Sequence, residues 1–227
     1  MSAAASNTDE QAIWDAYNLL LGGPDTERLR KLLARYALFQ RTLRLPGDVV
    51  EAGVFKGTGL LFWLKLLRIH CPGSLKRCVG FDLFEGFEAA ADDDDKPQVR
   101  ALMDEAGFRG TSPEHVLAMV QRAGISLSRC ELVAGDIRES AAHYVAEHPG
   151  FRISLLNLDL DLGPPTRAAL EALWPRVVPG GVVIFDEYAV PHWSASQGID
   201  AWAKDHALQL ECLTWARSPT AYLIKTK

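Results

Sequence analysis

The chain has 227 residues, of which 48% are hydrophobic and 23% charged, and its 24 basic and 29 acidic side chains leave a formal charge of −5. This is ordinary globular usage at a length suited to one α/β domain with a helical lead-in, so it argues against disorder and fibrous repeats. The acidic balance also argues against a nucleic-acid partner, because phosphate backbones select basic surfaces.

Residues 1–10 read as a frayed tail, and residues 11–21 place Ile13, Trp14, Tyr17, Leu20 and Leu21 at helical spacing before Gly22-Gly23-Pro24. A second helix follows, capped by Asp25 or Thr26, with an apolar stripe through Leu29, Leu32, Leu33, Tyr36, Leu38 and Phe39. After Leu45-Pro46-Gly47 the pattern changes: residues 48–54 form a short apolar run, Gly57 marks a turn, and 60–69 are apolar enough for a buried helix. The alternation recurs. Apolar runs at 78–81, 131–134, 153–158 and 182–185 end at Asp82, Gly135-Asp136, Asp159 and Asp186, with helical patterns at 113–123, 140–147, 166–174 and 197–206. Two last runs, 208–215 and 221–224, are expected to close the sheet as a hairpin, which brings the strand-like runs to seven.

Strands alternating with helices imply a Rossmann-like, doubly wound, mostly parallel seven-stranded sheet covered on both faces. We divide the chain into a tail and helical lead-in, 1–45, and an α/β domain, 46–227, with a lid-like insertion at about 86–112 that carries the acidic run Asp92 to Asp95. Such an acidic run is ordinarily a solvated loop.

Four cysteines, Cys71, Cys78, Cys130 and Cys212, have neither zinc-ligand spacing nor a disulfide pattern and are expected to be reduced core thiols. The first ten residues lack the features of a secretory signal, and no run reaches the roughly 18 apolar residues of a membrane span, so a cytoplasmic protein is expected. The apolar N-terminal helices suit self-association, and a homodimer is expected.

In an open α/β sheet the ligand lies beyond the carboxyl ends of the strands, where strand order reverses. The acids at the strand ends converge there, which core packing does not require. In the first turn, Glu51-Ala52-Gly53-Val54-Phe55-Lys56-Gly57-Thr58, two glycines admit a ligand close to the backbone and the next helix offers free N–H groups to a carboxylate, which suits the methionine end of S-adenosylmethionine (SAM). A dinucleotide fingerprint carries a third glycine that is missing here, which disfavours a NAD-dependent oxidoreductase. Asp82, followed by Leu83 and Phe84, can accept from a ribose diol. Gly135, Asp136 and Ile137 are placed for an adenine, although Asp136 reads equally well as a helix cap.

Asp159, Asp161, Asp186 and Glu187 form a cluster of hard oxygen ligands suited to Mg²⁺, or else pair with arginines as surface charges. His192 is the first candidate for the general base, with His115 second, and Asp159 is counted with the catalytic residues. Trp193, Phe84, Phe87 and Trp63 are candidates for an acceptor pocket, or else core.

Four stretches, in order, resemble the macrocin and mycinamicin sugar O-methyltransferases, the TylF-type family of class I SAM enzymes. They are Pro46 to Gly57, Gly80 to Gly86, Leu158 to Leu162 with Thr166, and Pro179 to Tyr188. The resemblance implies SAM contacts at Glu51, Gly53, Gly57, Asp82 and Asp136, a Mg²⁺ site at Asp159, Asp186 and Glu187, and methylation of a hydroxyl, often on a natural-product sugar. Ala52, Val54, Lys56, Thr58, Leu83, Phe84, Gly135, Ile137 and Asp159 join the expected cofactor contacts. The chain departs from the family at Asp186-Glu187, where Asp-Asp is usual, and at Gly163-Pro164-Pro165-Thr166, where Tyr-Glu-Ser-Thr is usual. The alternatives are a metal-independent N- or O-methyltransferase and a non-catalytic SAM-fold partner subunit.

Overall fold

The computed structural model describes residues 7–107 and 110–226, apart from the side chains of residues 7–9, 87 and 89. Helices α1 (Asn7–Gly22) and α2 (Glu27–Gln40) precede β1 (Asp48–Ala52), α3 (Thr58–His70) and β2 (Cys78–Asp82). Helices α4 (Lys96–Glu105) and α5 (Pro113–Arg122) lead to β3 (Cys130–Ala134), α6 (Ile137–Glu147), β4 (Ile153–Leu158) and α7 (Gly163–Leu173). Strand β5 (Val177–Phe185), helix α8 (Ala195–Asp205) and strand β6 (Ala221–Ile224) complete the order.

The sheet runs β3-β2-β1-β4-β5-β6. Pairings are parallel except for β6, which is antiparallel to β5. Strand order reverses between β1 and β4, so their carboxyl ends open the crevice. Successive residues of β1 point to opposite faces: Val49 joins the core beneath α2, α3 and α5, and Val50 joins the core beneath α6, α7 and α8.

Among the described residues the sheet has six strands rather than the expected seven. Of the run 208–215, only Glu211 bridges, exchanging both backbone hydrogen bonds with Tyr222 at 2.8 Å. Beyond it the Leu213 carbonyl accepts from the Ala216 N–H at 2.9 Å, so the backbone closes a turn instead of extending the ladder. Helix α1 begins within the expected tail, whose residues 1–6 lie outside the described residues.

The insertion holds a further helix, α4, with a proline in its first turn and Val99 fully buried, so the acidic run leads into a helix rather than open loop. Asp93 pairs with Lys96 at 2.7 Å, and Asp95 accepts from the Ser194 hydroxyl at 2.5 Å. Asp25, offered as a cap of α2, accepts from the Glu27 N–H at 2.9 Å, whereas Thr26 makes no side-chain cap bond. All four cysteines are free thiols. Cys78 and Cys130 are buried as expected, but Cys71 is half-buried and Cys212 exposed. Among the described residues no helix is long and apolar enough to cross a membrane.

Candidate active site

Gly53, at φ +94°, lies where three strand ends meet, its N–H donating to the Phe81 carbonyl while the Asp159 N–H donates to the Ala52 carbonyl, both at 2.9 Å. Gly57, at φ +83°, caps α3. Between them Phe55 also adopts a left-handed conformation, φ +52°. Asp82 fastens this turn. One carboxylate oxygen accepts the N–H groups of Val54 and Phe55 at 2.7 and 2.8 Å, and the other accepts the Phe84 N–H at 2.8 Å. Lys56 reaches from the turn to the insertion, donating to the Ala106 carbonyl at 2.5 Å.

Asp136 caps α6, accepting the Arg138 N–H at 2.9 Å. The Arg138 guanidinium also binds both its oxygens, and this hydrogen bonding holds the Asp136 carboxyl below its usual range. Asp136 therefore caps a helix and faces the crevice at once.

The crevice is a pocket of about 430 Å³. Of the expected site residues it gathers Gly53, Asp82, Leu83, Gly135, Asp136, Ile137, Asp159 and Glu187. Ala52, Val54, Lys56, Gly57, Thr58 and Phe84 lie outside its lining, with Phe84 in the core and Thr58 exposed. Glu51 lies beneath the turn, its side chain packed against Gly59 at the start of α3, and burial pushes its carboxyl up to about 8.

Sequence reasoning missed the basic groups of α2. Arg28 and Lys31 line the pocket, and Arg35 is buried below it. Lys31 Nζ is 2.6 Å from Asp186 and 3.4 Å from Asp159, while one Arg35 nitrogen is 2.8 Å from Asp159 and 3.1 Å from Asp186. The other terminal nitrogen of Arg35 is 3.7 Å from Glu51, and its guanidinium lies 5.6 Å from the Trp63 ring centroid. The signal was legible: cations at 28, 31 and 35 share one helical face. Burial would push Asp186 up, but Lys31 and Arg35 outweigh it and hold the carboxyl well below the usual range.

The metal-type grouping differs from the expected one. Oxygens of Asp159, Asp161 and Glu187 lie within 4.8 Å of one another, whereas Asp186 is turned to Lys31, Arg35 and the Ser218 hydroxyl. Burial first, then neighbouring carboxylates, push Asp161 up to about 8 and Glu187 up to about 9. Asp159 has Arg35 and Lys31 beside it, whereas Asp161 and Glu187 make no ion pair among the described residues, and such hard oxygen donors fit a hard divalent cation.

His192 and His115 are both exposed and outside the lining, while Trp193 turns into the pocket. Trp63 belongs to the core, and the Phe87 side chain lies outside the described residues.

The pattern of the macrocin O-methyltransferase (TylF) family fits residues 23–215. The 8-demethyl-8-(2,3-dimethoxy-α-L-rhamnosyl)-tetracenomycin-C 4'-O-methyltransferase of Streptomyces olivaceus is 33% identical over 147 residues, 64% of this chain and 54% of that protein. The mycinamicin III 3''-O-methyltransferase of Micromonospora griseorubida is 29% identical over 150 residues, 65% and 57% respectively. The chain thus spans little more than half the length of these two relatives. The crystal structure of CalS11, a calicheamicin methyltransferase, is 28% identical, covers 98% of this chain and 94% of its own, and superposes with a TM-score of 0.75. The O-methyltransferase NovP shares the fold at a TM-score of 0.73, with 22% identity and coverage of 87% and 80%. Four motifs in order, the strand order and the match over most of its length agree: this chain belongs to the macrocin O-methyltransferase (TylF) family.

Proposed function

We propose that the chain transfers the methyl group of SAM to a hydroxyl on a sugar of a natural-product acceptor, with a divalent cation, Mg²⁺ first, at the acidic corner. One observation carries the reading: a single pocket joins the Gly53 and Gly135-Asp136-Ile137 side to the Asp159, Asp161 and Glu187 side, so cofactor and acceptor would share one cavity. The family membership, the first relative's activity on a rhamnosyl-tetracenomycin and the second's on mycinamicin III support it. A NAD-dependent reading lacks its third glycine.

SAM, when bound, supplies an electrophilic sulfonium methyl. Gly53, on the pocket wall at a left-handed φ, leaves the backbone open to a close approach. Asp82 keeps the turn in shape, and Asp136 and Ile137 receive the adenine edge and face. Asp159, Asp161 and Glu187 would hold a Mg²⁺, which supplies Lewis acidity to the acceptor hydroxyl. In their ionised forms Asp161 and Glu187, both on the pocket wall, each keep a second oxygen beside the ion to take the hydroxyl proton, a role the exposed His192 is not placed for. Trp193 and Leu162 give the acceptor an apolar wall.

Because Arg28 and Lys31 reach the pocket, we count α2 with the catalytic domain rather than with a separate lead-in. The exposed face of α1 suits a homodimer, and the free Cys78 and Cys130, register neighbours in adjacent strands, suit a reducing cytoplasm. The test combines calorimetric titration with S-adenosylhomocysteine and methyl transfer to rhamnosylated acceptors, with Mg²⁺ and with EDTA. Absence of S-adenosylhomocysteine binding would overturn the proposal.

A further inference from the structure

We propose that Lys31 is a built-in competitor for the divalent cation: its ammonium, held by Asp186, stands at the edge of the carboxylate cluster 3.4 Å from Asp159, and so lowers the ion's affinity. The inference rests on the metal reading given above, and it concerns a residue that the pocket chemistry does not otherwise use.

The two cations of α2 differ in a way that separates a permanent partner from an exchangeable one. The Arg35 side chain is 5% exposed, lies beside Glu51 and the Trp63 ring, and touches both Asp159 and Asp186. The Lys31 side chain is 24% exposed, lines the pocket, and has one flexible ammonium on the same two carboxylates. Its removal strands neither acid. Asp186 keeps Arg35 at 3.1 Å and the Ser218 hydroxyl at 2.9 Å, and Asp159 keeps Arg35 at 2.8 Å.

An ion held by Asp159, Asp161 and Glu187 shares Asp159 with that ammonium, because Lys31 Nζ is 3.4 Å from the Asp159 oxygen. Two positive charges on one carboxylate repel strongly in a half-buried pocket. The ion therefore binds more weakly than its oxygen donors alone would allow, and its arrival displaces the lysine toward the pocket mouth.

The measurement is Mn²⁺ binding to the full chain by calorimetry, without acceptor. Lys31→Met keeps the aliphatic stem and removes the charge, with Lys31→Gln as a second variant should Met impair folding. Arg30→Met removes one charge from the exposed side of the same helix, where, among the described residues, Arg30 pairs with Glu27 alone. At least tenfold tighter Mn²⁺ binding in the Lys31 variant, with Arg30→Met within twofold of wild type, is expected. Equal affinity in Lys31→Met and wild type, or equal tightening in both variants, overturns the competitor role while leaving the metal site standing. No Mn²⁺ binding in any variant, with S-adenosylhomocysteine still bound, sinks the metal reading together with this one. In the wild type, saturating Mn²⁺ should raise acetylation of Lys31 by acetic anhydride severalfold, and unchanged labelling counts against the displacement.

Discussion

Gly53 and Asp159 are in backbone contact: a Cβ built on Gly53 would lie 1.9 Å from the Asp159 carbonyl oxygen. A methyl group there must push β1 away from β4 at the point where the crevice opens. Gly57, the other glycine of the turn, has only side-chain atoms near its Cβ position, Val116 at 3.6 Å and Met119 at 3.8 Å, both at ordinary contact distance. Gly53→Ala is expected to cost more than about 4 kcal/mol and to yield protein that does not bind S-adenosylhomocysteine. Gly57→Ala meets only the left-handed backbone cost, about 1–2 kcal/mol, and should lower the melting temperature by roughly 2–8 °C. Equal melting temperatures for the two variants would contradict this account.

Asp82 accepts three backbone N–H groups and thereby sets the conformation of the turn, including the left-handed Phe55. Asp82→Ala leaves those donors without their acceptor, at a cost of about 3 kcal/mol or more, since bonds to a charged group are each worth about 1.5–3. Affinity for S-adenosylhomocysteine should fall at least tenfold in calorimetry, with Asp82→Asn intermediate because its amide keeps one acceptor oxygen. Both losses should extend to sinefungin or any analogue with the same methionine end. An Asp82→Ala protein with wild-type affinity would show that the turn holds itself.

Residues 48–58 announced a strand, a glycine turn and a helix, because an apolar run, two glycines and a long apolar segment each have one economical reading. Which glycine is indispensable was not legible, since that depends on Asp159, a residue far along the chain. The acids were legible as a cluster because each ends an apolar run, yet their partners were not. Lys31 and Arg35 belong to a helix that the stripe of Leu29, Leu32 and Leu38 explains without them, and only the packing of α2 over β4 and β5 turns them onto Asp159 and Asp186. The insertion hid α4 behind four aspartates, whose charge reads as loop although Pro97 and the buried Val99 mark a helix start. The seventh strand failed for a local reason, a turn between Leu213 and Ala216 that hydropathy alone does not reveal.

Glu51 ties pH to stability. Burial pushes its carboxyl from 4.5 up to about 8, so between these values the folded chain holds a proton that the unfolded chain releases. Its contribution is therefore complete below the unfolded value and is lost as pH rises through about 8. Gln at position 51 mimics the protonated form at every pH. Glu51→Gln should melt close to wild type at low pH and gain on it by roughly 5 °C as the buffer becomes alkaline, followed by scanning fluorimetry. A pH-independent difference would show that the carboxyl is ionised throughout.

Asp161 and Glu187, pushed up to about 8 and 9, shift in the same direction and must lose their protons to bind a cation. The stabilisation given by Mg²⁺ should thus grow with pH across the neutral to alkaline range, and Glu187→Gln should weaken that growth, leaving the part that Asp161 carries. The same substitution is expected to lower kcat at least a hundredfold on an accepted glycoside, the usual scale for a lost acid or base. His192→Ala, altering an exposed side chain outside the lining, should stay within about twofold of wild type, on the scale of an ordinary surface change. A hundredfold loss in His192→Ala with little change in Glu187→Gln would reverse the assignment.

Helix α1 carries Ile13, Trp14, Tyr17 and Leu21 at 54–61% exposure, all on a helix whose main neighbour is α2. Trp14 and Tyr17 stand with ring centroids 6.1 Å apart, forming a continuous apolar surface instead of scattered side chains. Single exposed apolar residues need no explanation, but four on one helix with two aromatic rings in contact have the composition of an interface core. A second copy presenting the same face would bury it about a two-fold axis, where each residue meets its counterpart's neighbours. Light scattering should give the mass of a dimer, and Trp14→Glu with Tyr17→Glu should give a monomer, because a carboxylate inside an apolar contact is costly. Since both residues lie outside the pocket lining, the monomer should bind S-adenosylhomocysteine as tightly as the dimer does. A wild-type chain that stays monomeric at every soluble concentration would refute self-association, and a double variant that remains dimeric would move the interface elsewhere.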